Sequence, residues 1–347
     1  MRVLVTGHRG YIGSVLAPWL ARAGHDVVGL DTGYFDACTL VPDETALAAM
    51  AKDIRDVGPA DLAGFDAVVH LAALSNDPVG NLDDGWTTDI NHRASVRLAA
   101  MAREAGVRRF LFSSSCIMYG MSSAEVVDER SPLDPRTAYA RSKVTGERAI
   151  AELADARFSP VFLRNGTVYG LSPRMRFDTV LNDLVASAIT TGQGVVMGDG
   201  RPWRPVVHVD DVAASFAHVL TAPVEAVHNQ AFNNGAEHLN APVGELARLA
   251  AAAAGGGCRV EVRGDPSADS RTYKADFTKF AGTFPDFRFR WSPAEGAKEL
   301  AAGYRRAGLT HEHYTDPRFT RLRWLNHLRE TGRLDGALRW AAPVGAP

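Results

Sequence analysis

Short β-branched apolar runs alternate with stretches of helical spacing through the first half of the chain. The runs at 2–6, 26–31, 67–72, 109–115 and 161–165 read as buried strands, and 11–23, 90–105 and 138–156 as helices. Strand, helix, strand in repetition is the pattern of a parallel sheet covered on both faces. The expected fold class is therefore α/β: a doubly wound parallel sheet with a smaller C-terminal α/β domain. Beyond about residue 166 the spacing turns irregular and richer in Gly and Pro, so 1–165 is expected to form the sheet domain and 166–310 mainly a substrate-binding one. A run at 228–235 is expected to return to the first sheet, and 239–255 reads as a helix. The stretch 311–347 is rich in Arg, His and aromatics and is expected to be a partly helical tail packed on the surface.

The turn after the first run carries Gly7-His8-Arg9-Gly10-Tyr11-Ile12-Gly13 and opens the first helix. Gly7 permits a tight turn, Gly10 lets the backbone approach a pyrophosphate, and Gly13 lets the helix pack close to the strand. The helix N-terminus then offers amides and a partial positive charge to phosphates. Asp31 closes the second strand, 18 residues after Gly13. A carboxylate there binds ribose hydroxyls and repels a 2′-phosphate, which favours NAD over NADP. The sheet domain is thus expected to be an NAD-binding Rossmann domain.

Tyr139-Ala140-Arg141-Ser142-Lys143 is the second element of chemistry. Its four-residue spacing puts Tyr139 and Lys143 on one helix face. The ammonium, together with the positive nicotinamide ring, is expected to lower the tyrosine pKa so that it can act as general base. Ser115, at the end of the strand 109–115, is expected to hydrogen-bond the same substrate hydroxyl.

Charge and composition narrow the partners. A formal net charge of −2 argues against bulk attraction to nucleic acid or an anionic membrane. Any anionic ligand must be held by a few placed arginines and backbone amides. The 38 basic residues comprise 33 Arg and only five Lys, which makes Lys143 informative. No stretch approaches the roughly 20 apolar residues that span a bilayer, and no leader precedes the first strand, so a cytoplasmic protein is expected. Cys38, Cys116 and Cys258 lie far apart without CxxC spacing, as suits reduced thiols. His311-Glu312-His313 could chelate, but no further ligand cluster is evident and no metal is expected.

Together, the run from Thr6 to Gly13, Asp53-Ile54-Arg55-Asp56, His70-Leu71-Ala72-Ala73, Ser113-Ser114-Ser115, Tyr119-Gly120, Tyr139 and Lys143 resemble the NAD-dependent epimerase/dehydratase family. These are extended short-chain dehydrogenase/reductases that act on nucleotide-linked sugars, and the resemblance covers about residues 1 to 305. It implies that Asp53 and Ile54 lie at the adenine, and that Leu71, Ala72, Ala73 and Ser113 run along the cofactor. Asn91 would join that site from the following helix. The run from Arg164 to Gly170 resembles the strand and turn that lead into the sugar-nucleotide site, with Thr167 where an asparagine is common. Arg204 and Arg271 resemble the two arginines that grip the substrate diphosphate. A homodimer through the helices 90–105 and 138–156 is implied as well.

The departures from the family pattern select among its reactions. Where the 4,6-dehydratases carry an Asp-Glu pair after the serine, this chain has Cys116 and Ile117, so ordinary dehydration and decarboxylation are disfavoured. The 3,5-epimerases place a cysteine two residues before the Tyr-Gly tyrosine; Cys116 lies three before Tyr119, and a buried inert thiol is expected. The implied reaction is epimerisation of a nucleoside-diphosphate sugar at C4 through a 4-keto intermediate. A 4-ketosugar reductase, a C5 epimerase or dehydratase using Cys116, and a non-catalytic sugar-nucleotide binder remain as alternatives.

Overall fold

The computed structural model describes residues 1–42, 46–120, 125–263 and 272–341. Its central sheet has seven strands in the order Gln230–Asn234, Ser159–Asn165, Arg109–Ser115, Ala67–His70, Arg2–Thr6, Asp26–Asp31 and Ala48–Ala51. Every neighbouring pair is parallel. The chain order reverses between Arg2–Thr6 and Ala67–His70, so a crevice opens at their carboxyl ends, where doubly wound folds bind ligands.

Both faces of the sheet are covered, which is why its strands read as unbroken apolar runs. Val3 and Val5 face the helices Gly13–Arg22 and Val209–Thr221 through Leu16, Leu20, Val212 and Phe216. Leu4, Val68, Phe110 and Phe112 face the other way, towards Leu98 of Ser95–Glu104 and Ile150 of Ala138–Ala151. The expected return of 228–235 to this sheet is realised by Gln230–Asn234, beside Ser159–Asn165.

Four expected helices differ in their bounds, and 239–255 shortens to Val243–Ala254 because Asn240–Pro242 is a strand. The first begins at Gly13, because residues 7–12 are spent on the turn. The catalytic helix starts where Thr137 Oγ1 accepts from Ala140 N at 3.1 Å, and it stops at Ala151. Asp155 then accepts from the amides of Arg157 and Phe158, turning the chain into the next strand. The region 90–105 is not one α-helix: Thr88–Ala94 is a π-helical stretch that runs into Ser95–Glu104. The wide turn coincides with Asn91, whose side chain is taken up by another segment's backbone.

The second layer holds a three-stranded sheet of Thr167–Tyr169, Trp203–His208 and Asn240–Pro242, and a parallel pair, Gln193–Met197 with Arg259–Arg263. The helices Val180–Thr191, Val243–Ala254 and Pro293–Arg306 pack together around Leu184, Val185, Leu246 and Leu300. The expectation of a surface tail fails. Trp324, Leu325, Leu328, Leu334 and Leu338 are buried in the core that holds Leu4 and Phe110, and Phe319 in the core that holds Leu184 and Leu300. An apolar stripe at 324, 325 and 328 on the helix Arg321–Glu330 was masked by the tail's Arg and His content. No described helix is long and apolar enough to cross a membrane.

Candidate active site

The glycine turn folds where no side chain fits. Gly7 has φ +76°, and a Cβ there would stand 2.7 Å from Ala72 N. A Cβ on Gly13 would collide with the carbonyl of Gly7, so the helix can seat its N-terminus against the crevice only without one. A cavity of about 470 Å³ opens in front of this turn.

Most of the expected cofactor residues line it. Gly7, Gly10, Tyr11, Ile12, Gly13, Leu71, Ala72, Ala73 and Ser113 are among its lining residues. Asp31, Asp53 and Ile54 line it too, as do Ser115, Tyr139, Thr167 and Arg204. Asp31 accepts from the backbone amides of Arg9 and Gly33, each at 2.9 Å, which holds its carboxylate at the strand end where ribose hydroxyls would meet it. Burial works against the ionised form of Asp53, but hydrogen bonds and charge from Arg55 outweigh it and hold the carboxyl below its usual range. A cradle that excludes side chains, a helix N-terminus and a carboxylate at the strand end fit an NAD molecule.

Two expected residues act from behind the wall. Lys143 donates to Ser113 O at 2.7 Å, with its ammonium 5.7 Å from the centre of the Tyr139 ring. Asn91 closes a two-way bond with the backbone of Leu74, accepting from its N at 2.8 Å and donating to its O at 2.9 Å. It also donates to Ser142 Oγ at 3.3 Å, so it ties the cavity loop to the helix that carries Tyr139. Arg271 lies outside the described residues. Among the described residues no group of His, Cys, Asp and Glu could hold a metal ion, including at His311 and His313.

The protein's own groups hold the Tyr139 phenol above its ordinary value, whereas the expected lowering also counts the charge of a bound nicotinamide ring. Burial pushes the Tyr139 phenol up to about 12, against the charge of Arg176 and a hydrogen bond with Ser115. Burial also pushes Lys143 down to about 8, with Glu147 opposing it. Desolvation outweighs the opposing charge in each case, Arg176 for Tyr139 and Glu147 for Lys143, because both groups are removed from water.

Two arginines on the cavity wall had no sequence signal. Arg176 lies in the loop after Thr167–Tyr169 and donates to Asp178 at 2.6 Å and to Ser75 Oγ at 3.3 Å. Its Nη2 is buried with no hydrogen-bond partner among the described residues. Asn76 donates to the other oxygen of Asp178 at 2.9 Å, from a backbone at φ 86° and ψ 160°. That region is nearly reserved for glycine, and strain of this kind gathers at functional sites. The second arginine, Arg321, comes from the tail. Cys116 is buried, its thiol pushed well above the usual range by burial, and it donates to Arg164 O at 3.2 Å.

A doubly wound sheet with a glycine turn at its switch point, and a serine, tyrosine and lysine gathered at the same cavity, defines an enzyme of the extended short-chain dehydrogenase/reductase class. The chain belongs to the NAD dependent epimerase/dehydratase family, whose model matches residues 3–235. It is 32% identical over 252 residues to a UDP-glucose 4-epimerase of Mycolicibacterium smegmatis, covering 68% of this chain and 77% of that protein. A UDP-glucose 4-epimerase of Corynebacterium glutamicum is 31% identical over 253 residues, 68% of this chain and 75% of its own length. Among solved structures, MoeE5 in complex with UDP-glucuronic acid and NAD aligns with a TM-score of 0.76 and 28% identity, over 88% of this chain and 100% of that one.

Proposed function

We propose that this enzyme epimerises a nucleoside-diphosphate sugar at C4 through a 4-keto intermediate. The observation that carries the reading is the pairing of Ser115 and Tyr139 on the cavity wall with no working acid or base immediately after Ser115. Ile117 cannot transfer a proton, and the Cys116 thiol is held neutral by burial. The similarity to UDP-glucose 4-epimerases supports the same reaction.

Tyr139 takes the proton of the C4 hydroxyl at its phenolic oxygen, and Ser115 holds the substrate oxygen in reach. Protonated Lys143, anchored on Ser113 O, favours the phenolate from behind the ring. NAD, when bound, supplies the acceptor and then the donor of the hydride. After the keto sugar turns over, Tyr139 returns its proton, so no external reductant is consumed. Thr167, Arg204 and Arg271 serve the substrate, and the cofactor lies on the domain 1–165 with the substrate domain 166–310 beside it. Among sugars, one bearing a carboxylate is favoured by the unpartnered Nη2 of Arg176, whose charge acts on Tyr139. MoeE5 is solved in complex with UDP-glucuronic acid and also with UDP-glucose, so both sugars enter the test. The protein works in the cytoplasm as a homodimer through Ser95–Glu104 and Ala138–Ala151 and their partner copies.

The test supplies UDP-glucose and UDP-glucuronic acid, each deuterated at C4, and repeats the turnover unlabelled in deuterated water. Epimerisation at C4 keeps the label while the configuration inverts, and no solvent deuterium enters the ring. Solvent deuterium at C5 together with an inactive Cys116→Ala enzyme refutes the C4 reading in favour of C5 chemistry. Turnover only with added NADH refutes it in favour of a ketoreductase.

A further inference from the structure

The C-terminal stretch lies beyond the residues that the family model matches, yet it puts one residue on the cofactor cavity and fastens a second segment to residues that line it. The first is Arg321, which is 2% exposed and stands on the cavity wall. Its guanidinium donates to the carbonyls of Arg174 at 2.7 Å and Met175 at 3.2 Å, and lies 4.4 Å from the centre of the Phe35 ring. Both side-chain bonds go to neutral oxygens. The carboxylate nearest in the network, Asp178, is engaged by Arg176 at 2.6 Å. Two buried guanidiniums and one carboxylate therefore leave a net positive charge on the cavity wall. Burial is costly to such a charge and pushes Arg321 down to about 10. An anion in the cavity offsets that cost, and the glycine turn on the same cavity is where a dinucleotide presents its pyrophosphate.

The second place is the far end. Trp340 Nε1 donates to Thr32 O at 2.6 Å, and its ring lies 5.5 Å from that of Tyr34. The Tyr34 hydroxyl donates to Leu338 O. Arg55, paired with Asp53, donates to Ala337 O at 2.7 Å and Leu338 O at 2.9 Å. Arg339 pairs with Asp56. Thr32, Tyr34 and Asp53 all line the cavity. The tail thus fastens to the groups that flank the adenosine end, after the strand that carries Asp31.

We propose that residues 321–340 form a cofactor clamp: Arg321 supplies a cation to the pyrophosphate of NAD, and 336–340 closes the adenosine end. An enzyme that reduces its own keto intermediate gains by holding one dinucleotide through many turnovers. The clamp concerns NAD alone, so failure of the C4 reading leaves it standing, and its test does not use the sugar.

The experiment uses the full chain stripped of nucleotide and reloaded. Arg321→Met keeps the side-chain stem and removes the charge. Its NAD affinity should fall about tenfold or more, as for loss of a charge-assisted bond. Adenosine, which lacks phosphate, should bind as to wild type, and the salt dependence of NAD binding should weaken. Wild-type NAD affinity, or equal losses for NAD and adenosine, overturns the role of Arg321. If that variant does not fold, the decision passes to Arg339→Ala/Trp340→Ala, whose side chains lie at the surface. There NADH should dissociate about tenfold faster by stopped-flow fluorescence, equivalent to losing one good contact. An unchanged dissociation rate overturns the clamp.

Discussion

Glu147→Gln removes one charge from the pair that joins the catalytic helix to the strand Ser159–Asn165. Arg164 Nη2 lies 2.7 Å from Glu147 Oε2, with the two side chains 7% and 8% exposed. Arg164 Nε reaches both carboxylate oxygens at 3.1 and 3.2 Å, and its Nη1 donates to the Tyr119 hydroxyl at 3.0 Å. Breaking a buried pair costs about 3–5 kcal/mol, because the remaining charge stays out of water without its partner. Glutamine keeps the volume and one acceptor, which puts the loss near the lower end, about 3 kcal/mol. Over 347 residues, an unfolding entropy of roughly 2 cal/mol/K per residue turns this into a Tm lower by about 4 °C. A second readout follows from position. Glu147 stands one helical turn beyond Lys143, and its charge opposes the burial that brings Lys143 to about 8. Without it, Lys143 gives up its proton at lower pH. The protonated lysine is the working form, so wild-type activity falls as pH rises through about 8, and in the variant that fall begins earlier. Scanning calorimetry and the pH dependence of kcat/KM check the two effects. A Tm within about 1 °C of wild type, with the alkaline limb unmoved, refutes the reasoning.

Tyr139→Phe should cut turnover by about 10²–10⁴ while NAD binding is retained, as the proposed role of its phenolate as proton acceptor requires. Near-native turnover in that variant refutes the mechanism. Light scattering at micromolar concentration should give the mass of two chains; a single-chain mass refutes the homodimer.

What could be read from the residues alone had a local physical cause. A sheet covered on both faces requires apolar runs, and the turn that cradles a dinucleotide requires positions without Cβ, so Gly7, Gly13 and the strands announce themselves. Tyr139 and Ser115 reach the cavity because a helix face and a strand end are set by spacing. The same spacing put Lys143 on the right face but could not tell that its ammonium would turn to Ser113 O. Asn91 was legible as a residue and not as a role, because its partner is the backbone of Leu74 in another segment. Arg176 and Arg321 were illegible for a different reason. In a chain with 33 arginines, a buried guanidinium and a solvated one look alike until the loop and the tail that carry them fold back.

The tail's place in the core bears on how the protein is made. A chain emerging from the ribosome completes Ser159–Asn165 well before the edge strand Gln230–Asn234 exists to cover it, and the first core stays open where Trp324 and Leu338 belong. Contacts so distant along the chain close slowly, and a bare parallel edge is a template for mispairing. The first core therefore closes only once Trp324 and Leu338 have been made. A product cut short before Trp324 meets the cell's proteases and chaperones as an unfinished domain rather than as a slightly weaker enzyme.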